Sequence, residues 1–306
     1  MSSSTYYTHP NPESFTSKAI KWYLKQIDRK NYLVNTFETK NFKHRPAEIP
    51  KSLHRRAHIT TTMIQGRPVW KLKPKKKRSD KMVFFVHGGG HMNNIIFFHW
   101  KMIQKLMDQT GATFVVPDYP LLPYASYKET FEMIEETFER CTEDYSGEQL
   151  IFLGDSAGGA ISFALAQTLR DKQDRTPGQI ILLSPELDAS KLHPDIVPHY
   201  DQVDVMLSSK IFNLLSPLYV QDCPREHYLV SPALGNLNEL GKLSVFTGTH
   251  DIMHPYSLEL KKRLEEKGIP FNFYLYPKMI HVWMAIPYLS ESKKTLHQII
   301  KLINDL

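Results

Sequence analysis

From residue 80 onward the apolar positions alternate between two periods. Residues 82–86, 113–116, 150–153, 180–183, 243–246 and 271–275 are short β-rich runs, several of them continuously apolar. Runs of that length, each followed by a turn signal, suit strands buried on both faces of a mostly parallel sheet. Between them Tyr127, Phe131, Ile134, Phe138 and Cys141 recur at helical spacing while Glu129, Glu132, Glu136 and Glu139 face away. Tyr256, Leu260 and Leu264 repeat the pattern, and Leu296, Ile299, Ile300 and Ile303 make a final amphipathic helix. Strand and helix in alternation predict an α/β fold with helices on both faces of a doubly wound sheet.

Two segments stand outside that alternation. Upstream, residues 57–62 and 68–72 read as antiparallel strands joined through Gly66 at the sheet's edge, and before them Ile20, Tyr23, Leu24 and Ile27 form a helical stripe with no strand partner. Between residues 188 and 220, where strand and helix should follow directly, Pro194, Pro198 and a further helical pattern intervene. The expected organisation is an N-terminal cap segment (1–50), a first part of the core (51–187), a cap insertion (188–220) and a second part of the core (221–306). Tyr200, Met206, Phe212 and Leu215, with Trp22 and Tyr23, are the side chains expected to line an apolar pocket or fill the cap's own core.

Composition adds constraints. The 306 residues are 42% hydrophobic and 23% charged, an ordinary globular balance that excludes disordered and fibrous classes. A chain this long can bury roughly three quarters of its surface, so neither metal nor disulfide is needed for stability. Cys141 and Cys223 cannot form a framework, no apolar run reaches membrane-spanning length, and no secretory signal follows Met1, which together predict a cytoplasmic setting without stable membrane anchoring. Net charge is +6, but Lys71, Lys73, Lys75, Lys76, Lys77, Arg78 and Lys81 account for it: without those seven, 31 cations face 32 acids. That cluster reads as a solvated hairpin loop, and without interleaved aromatics it is a poor nucleic-acid reader.

The most informative segment is Gly154-Asp155-Ser156-Ala157-Gly158-Gly159, a Gly-x-Ser-x-Gly between an apolar strand and a helical pattern. In that context the motif is a nucleophile elbow: a strained turn lifts the Ser156 hydroxyl clear of the sheet, the glycines let strand and helix approach, and the helix N-terminus faces the forming oxyanion. His87-Gly88-Gly89-Gly90 follows the strand at 82–86, an HGGG loop able to aim backbone N–H groups into a site. Gly89, Gly90 and Ala157 are the expected oxyanion donors, with His87 and Gly88 shaping the loop. A base and an orienting acid should follow in chain order after the late strands. His281 lies just past the last strand, and Asp251 follows the strand at 243–246, with Asp188 the fallback acid.

These motifs, with Asp118-Tyr119-x-Leu121-x-Pro123 and Ser184-Pro185 followed by Asp188, resemble the hormone-sensitive-lipase-like family of α/β-hydrolases, serine esterases of the carboxylesterase and lipase group. The resemblance runs from about residue 20 to the end. It implies a mostly parallel eight-stranded sheet flanked by helices, a helical cap, a small-molecule ester of short to medium acyl length as substrate, and no cofactor or metal. Pro120, Tyr124 and Ala160 depart from the family's usual residues. A homodimer stays open. Two other readings stand beside the esterase: an amidase or formamidase using the same triad, and a binding module on the same fold that has lost catalysis.

Overall fold

The computed structural model describes residues 3–42, 44–76 and 78–306. Its strands are β1 (Thr5–Thr8), β2 (Ala57–Ile64), β3 (Arg67–Pro74), β4 (Met82–Val86), β5 (Thr113–Pro117), β6 (Leu150–Asp155), β7 (Gln179–Leu183), β8 (Lys242–His250) and β9 (Phe271–Ile280). They make one nine-stranded sheet in the order β1-β9-β8-β7-β6-β4-β5-β3-β2. The run from β5 through β4, β6, β7, β8 and β9 is parallel, while β2 and β3 add an antiparallel edge. The helices are α1 (Phe15–Gln26), α2 (Tyr32–Glu38), α3 (Lys51–Arg56), α4 (Phe97–Thr110), α5 (Tyr127–Thr142), α6 (Ala157–Asp171), the single turn α7 (Asp201–Val203), α8 (Lys210–Val220), α9 (His254–Glu266) and α10 (Ser290–Asn304).

Every residue of β4, β5, β6 and β7 is buried, as their apolar runs require. Alternate residues serve opposite faces because strand side chains have a period of two. Phe84, Phe152 and Leu182 join one core with α5, α6 and α9, whereas Phe85, Leu153 and Leu183 join the other with α4 and α10. Local chemistry sets the ends of these elements: Ser126 opens α5 with a capping box, its backbone N–H donating to Glu129 Oε2 at 2.7 Å.

Three expectations change. The sheet has nine strands rather than eight because β1, rich in β-branched and aromatic residues, pairs in parallel with β9 and sets Tyr6 edge-on to Phe271. Residues 5–8 of the segment assigned to the cap therefore belong to the sheet. The basic cluster is not a hairpin loop: Lys71 and Lys73 lie within β3, and β3 and β4 both pair with β5 rather than with each other, so the connection crosses over. Some of its charges are engaged, Lys71 over the Tyr145 ring and Lys81 on the Leu306 carbonyl, while Lys77 lies outside the described residues. Finally, Trp22 and Tyr23 point to solvent instead of lining a pocket.

The two segments outside the alternation meet through α2 and α8, and Lys30 pairs with Asp201 at 3.2 Å. Both cysteines are buried and free. Among the described residues no helix is long and apolar enough to cross a membrane.

Candidate active site

The site forms where the parallel strands end. β6 delivers Ser156 in a backbone conformation, φ 52° and ψ −124°, that a non-glycine residue adopts only at a cost of ~1–3 kcal/mol. The surroundings hold it there: the Ser156 N–H donates to the Leu183 carbonyl, and its carbonyl accepts from Gly159, Ala160 and Glu186. Close approach explains the flanking glycines. A Cβ on Gly154 would lie 2.2 Å from the Gly158 carbonyl oxygen, and one on Gly158 would lie 2.1 Å from that of Val86.

Asp251 comes from the loop after β8 and His281 from the loop after β9, and the fold brings both to Ser156. His281 Nε2 is 2.8 Å from Ser156 Oγ, and His281 Nδ1 is 2.9 Å from Asp251 Oδ1. With the Nδ1 proton held toward Asp251, Nε2 is free to accept the serine proton. All three side chains are buried. Burial works against the charged imidazolium, but the Asp251 charge and hydrogen bond, with the charges of Asp204 and Asp155, outweigh it and raise the His281 pKa above its usual value. Asp188, the fallback acid, bonds instead to the Ser190 N–H and the Ser231 hydroxyl. His250 and His254 are also set aside: His254 meets Thr247 Oγ1, and burial depresses both pKa values to about 4. His297 lies in α10.

The HGGG loop divides its donors. Gly88 N–H is taken by Asp155 Oδ1 at 3.1 Å, whereas those of Gly89, Gly90 and Ala157 have no protein partner among the described residues. His87 is fully buried, stacks on Tyr119 with ring centroids 4.5 Å apart, and has its pKa pushed down to about 3 by burial and by His99. The Tyr119 hydroxyl donates to the His87 carbonyl at 2.7 Å. Asp118 is held by Arg67 at 3.0 Å and by Asn94, which pins the loop where Pro120 departs from the family pattern.

Three further groups stand around the site, and of these sequence reasoning missed His99 and Asp204. His99 Nε2 sits 3.3 Å from Asp155 Oδ2, buttressing the elbow from α4. His91, in the stretch after the HGGG loop, stacks on Tyr219 at 3.6 Å and pairs with Glu186 at 3.4 Å. Asp204 is the third: its carboxylate is buried and accepts from the Met206, Leu207 and Ile252 N–H groups, the last at 2.8 Å in the acid loop. Burial and the neighbouring Asp251 raise its pKa above the usual carboxylate range. No motif marks His99 or Asp204, because each acts across elements distant in sequence.

A pocket of about 80 Å³ opens over Ser156. Leu33 of α2, Leu207, and Ile211, Phe212 and Leu215 of α8 supply apolar walls, and Gly90 and His91 complete the lining beside Ser156. Phe212 and Leu215 are thus where the pattern expected pocket residues, whereas Tyr200 and Met206 are not part of the lining. The described residues include no cluster able to hold a metal ion.

A family model described as alpha/beta hydrolase fold matches residues 83–285. The chain is 26% identical over 229 residues to a triacylglycerol lipase of Mycobacterium tuberculosis, covering 74% of this chain and 47% of that protein, so it spans about half the lipase's length. It is 24% identical over 224 residues to an acetyl-hydrolase of Streptomyces hygroscopicus, covering 72% of this chain and 74% of the relative. A crystal structure of a hormone-sensitive-lipase homologue, EstE7, from a metagenome library superposes with a TM-score of 0.80 at 20% identity, covering 96% of this chain and 99% of that one. At that identity the likeness speaks to the fold.

Proposed function

The chain belongs to the α/β-hydrolase fold family, and on that premise we propose that it is a carboxylesterase- or lipase-type serine hydrolase that cleaves short acyl esters through an acyl-enzyme on Ser156. The observation that carries this reading is the continuous relay from Ser156 Oγ through His281 to Asp251, with links of 2.8 and 2.9 Å. In the first step Ser156 attacks the ester carbonyl, His281 takes its proton, and Asp251 fixes the imidazole tautomer. The unpartnered N–H groups of Gly89, Gly90 and Ala157 are the donors assigned to the oxyanion, each worth ~10²–10³ in rate. His281 then protonates the departing alkoxide, and water repeats the attack on the acyl-enzyme.

Acyl length follows from the walls. Leu33, Ile211 and Leu215 narrow the space over Ser156, and on that apolar constriction we assign a preference for acetyl to butyryl groups over longer chains. We assign residues 9–50 and 188–220 to a cap, joined where α2 packs on α8, and its displacement would be needed for medium-length acyl groups.

The test is an acyl-length series of p-nitrophenyl esters with matched anilides, run on wild type and Ser156→Ala. Ester hydrolysis that falls with acyl length, and ~10⁴-fold or more lost in Ser156→Ala, is the expected result. Hydrolysis of neither series, together with no labelling by a fluorophosphonate, would move the reading to a non-catalytic binding module.

A further inference from the structure

The first helix is amphipathic in the wrong direction for a helix whose only task is to cover a core. Its inner side offers Ile20 and Leu24 to the core around β9, together with Ser17 and Lys21. The outer side carries larger apolar groups: Phe15 is 85% exposed, Trp22 65% and Tyr23 57%, with Ile27 just past the helix end at 49%. At 100° per residue these four fall on one broad face with Ala19, which exposed Thr16 and Gln26 share, while exposed Lys18 and Lys25 lie along one flank. Three aromatics at that exposure leave roughly 400 Å² of mostly apolar surface along this face, the size of the largest patch on a typical monomer, which is often functional.

The helix is well anchored, so the patch is a fixed surface. Ser14 caps it and is held by Glu291, while Lys21 is paired with Glu13 and reaches His250 and the Lys278 carbonyl. Those last two contacts put α1 beside the loops that supply Asp251 and His281, and the chain continues from it into α2, whose Leu33 lines the pocket. The exposed charges around the patch favour an anionic partner. Lys18, Lys25 and Lys278 are exposed there, Glu13 is already paired with Lys21, and the remaining acids sit at the helix ends, Glu291 buried on the Ser14 cap and Asp28 at the far end.

We propose that the outer face of α1 is a docking surface for an anionic lipid bilayer, with Phe15, Trp22, Tyr23 and Ile27 entering the interface and Lys18 and Lys25 facing the headgroups. A short helix with a basic flank and an aromatic face lies in the plane of such an interface. Docking is peripheral and reversible. It does not depend on the esterase reading, since binding needs no chemistry at Ser156.

The protein carries its own reporter. Trp22 is exposed, whereas Trp70, Trp100 and Trp283 are buried, so a change in tryptophan emission on adding vesicles reports α1. The experiment titrates the Ser156→Ala protein, which cannot hydrolyse lipid through the proposed nucleophile, with phosphatidylglycerol–phosphatidylcholine vesicles and with phosphatidylcholine alone, followed by co-sedimentation. The proposal expects a blue shift and sedimentation with the anionic vesicles, weakened by salt. K18Q/K25Q should bind ~30-fold more weakly, from about 1 kcal/mol per lysine at an anionic surface. F15S/W22S should abolish co-sedimentation while leaving p-nitrophenyl acetate hydrolysis unchanged in the wild-type background, because neither side chain touches the pocket. Absence of vesicle binding, or binding undiminished in F15S/W22S, would overturn the proposal. A homodimer in sedimentation velocity that F15S/W22S dissociates, without vesicle binding, would assign the face to a second copy of the chain instead.

Discussion

Gly88 links the oxyanion loop to the elbow, and a single methyl group there tests whether their spacing matters. A Cβ at Gly88 would stand 2.4 Å from Asp155 Oδ2, 2.7 Å from the Asp155 carbonyl oxygen and 2.9 Å from Ser156 Cβ, where ordinary contact begins at 3.4 Å. None of those atoms is the free end of a flexible chain: Asp155 is buried and pinned by His99 and by the Gly88 N–H. The loop must therefore retreat by about 1 Å, carrying Gly89 and Gly90 with it. Overpacking of this kind costs ~1–3 kcal/mol of stability. A misplacement of ~1 Å costs about 10²-fold in rate, so kcat of Gly88→Ala should fall by that factor or more with KM little changed. Gly66→Ala is the matched control. Its φ of +76° imposes a stability cost of comparable size, ~1–2 kcal/mol, through the backbone rather than by overpacking, but a Cβ there meets nothing within 4 Å and lies at the sheet's edge between β2 and β3, so kcat should hold. The assay is p-nitrophenyl butyrate kinetics paired with urea unfolding of each variant. Gly88→Ala folded at 25 °C with kcat within threefold of wild type would show that the HGGG loop does not position the oxyanion donors.

Other expectations follow from the titrating groups and thiols. With His281 as the proposed base it must be neutral to act, and its pKa is raised, so the rate should climb with pH along a limb centred above ~6.5, and a rate flat from pH 5 to 9 would remove His281 as the base. The same shift has the opposite sign for stability: protonated His281 stabilises the fold fully below its unfolded pKa, and that contribution is lost as pH rises through the folded value. His87 and His254 are depressed, to about 3 and about 4, so their burial costs stability as pH falls below ~6.5; urea midpoints measured from pH 8 to 4 should decline on the acid side. Because Asp204 helps raise the His281 pKa, Asp204→Asn should move the acidic limb of the pH–rate profile downward, and an unmoved limb would leave Asp204 with a scaffold role alone. Cys141 and Cys223 are buried and unpaired, so a thiol reagent should label neither in the native protein and both on unfolding.

What could be read from the sequence follows how local each signal is. The sheet was legible because its inner strands are buried on both faces and so are written as apolar runs, and Ser156 because steric demand at one sharp turn fixes its neighbours to glycine. Asp251 and His281 were legible through chain order, since each sits in the loop following a strand end. The rest depends on contacts between distant segments. Nothing in Val203-Asp204-Val205 announces a carboxylate that will accept from Ile252, and nothing in the Thr5–Thr8 run says that it will close the edge of β9. The helical stripe at Ile20, Tyr23, Leu24 and Ile27 shows the limit most clearly. Periodicity identified the helix, but both of its faces carry apolar residues, so periodicity alone could not say which one is buried. Packing chose Ile20 and Leu24 and left the more aromatic side to solvent, so the stripe that reads as a core contact contains half of an exposed surface.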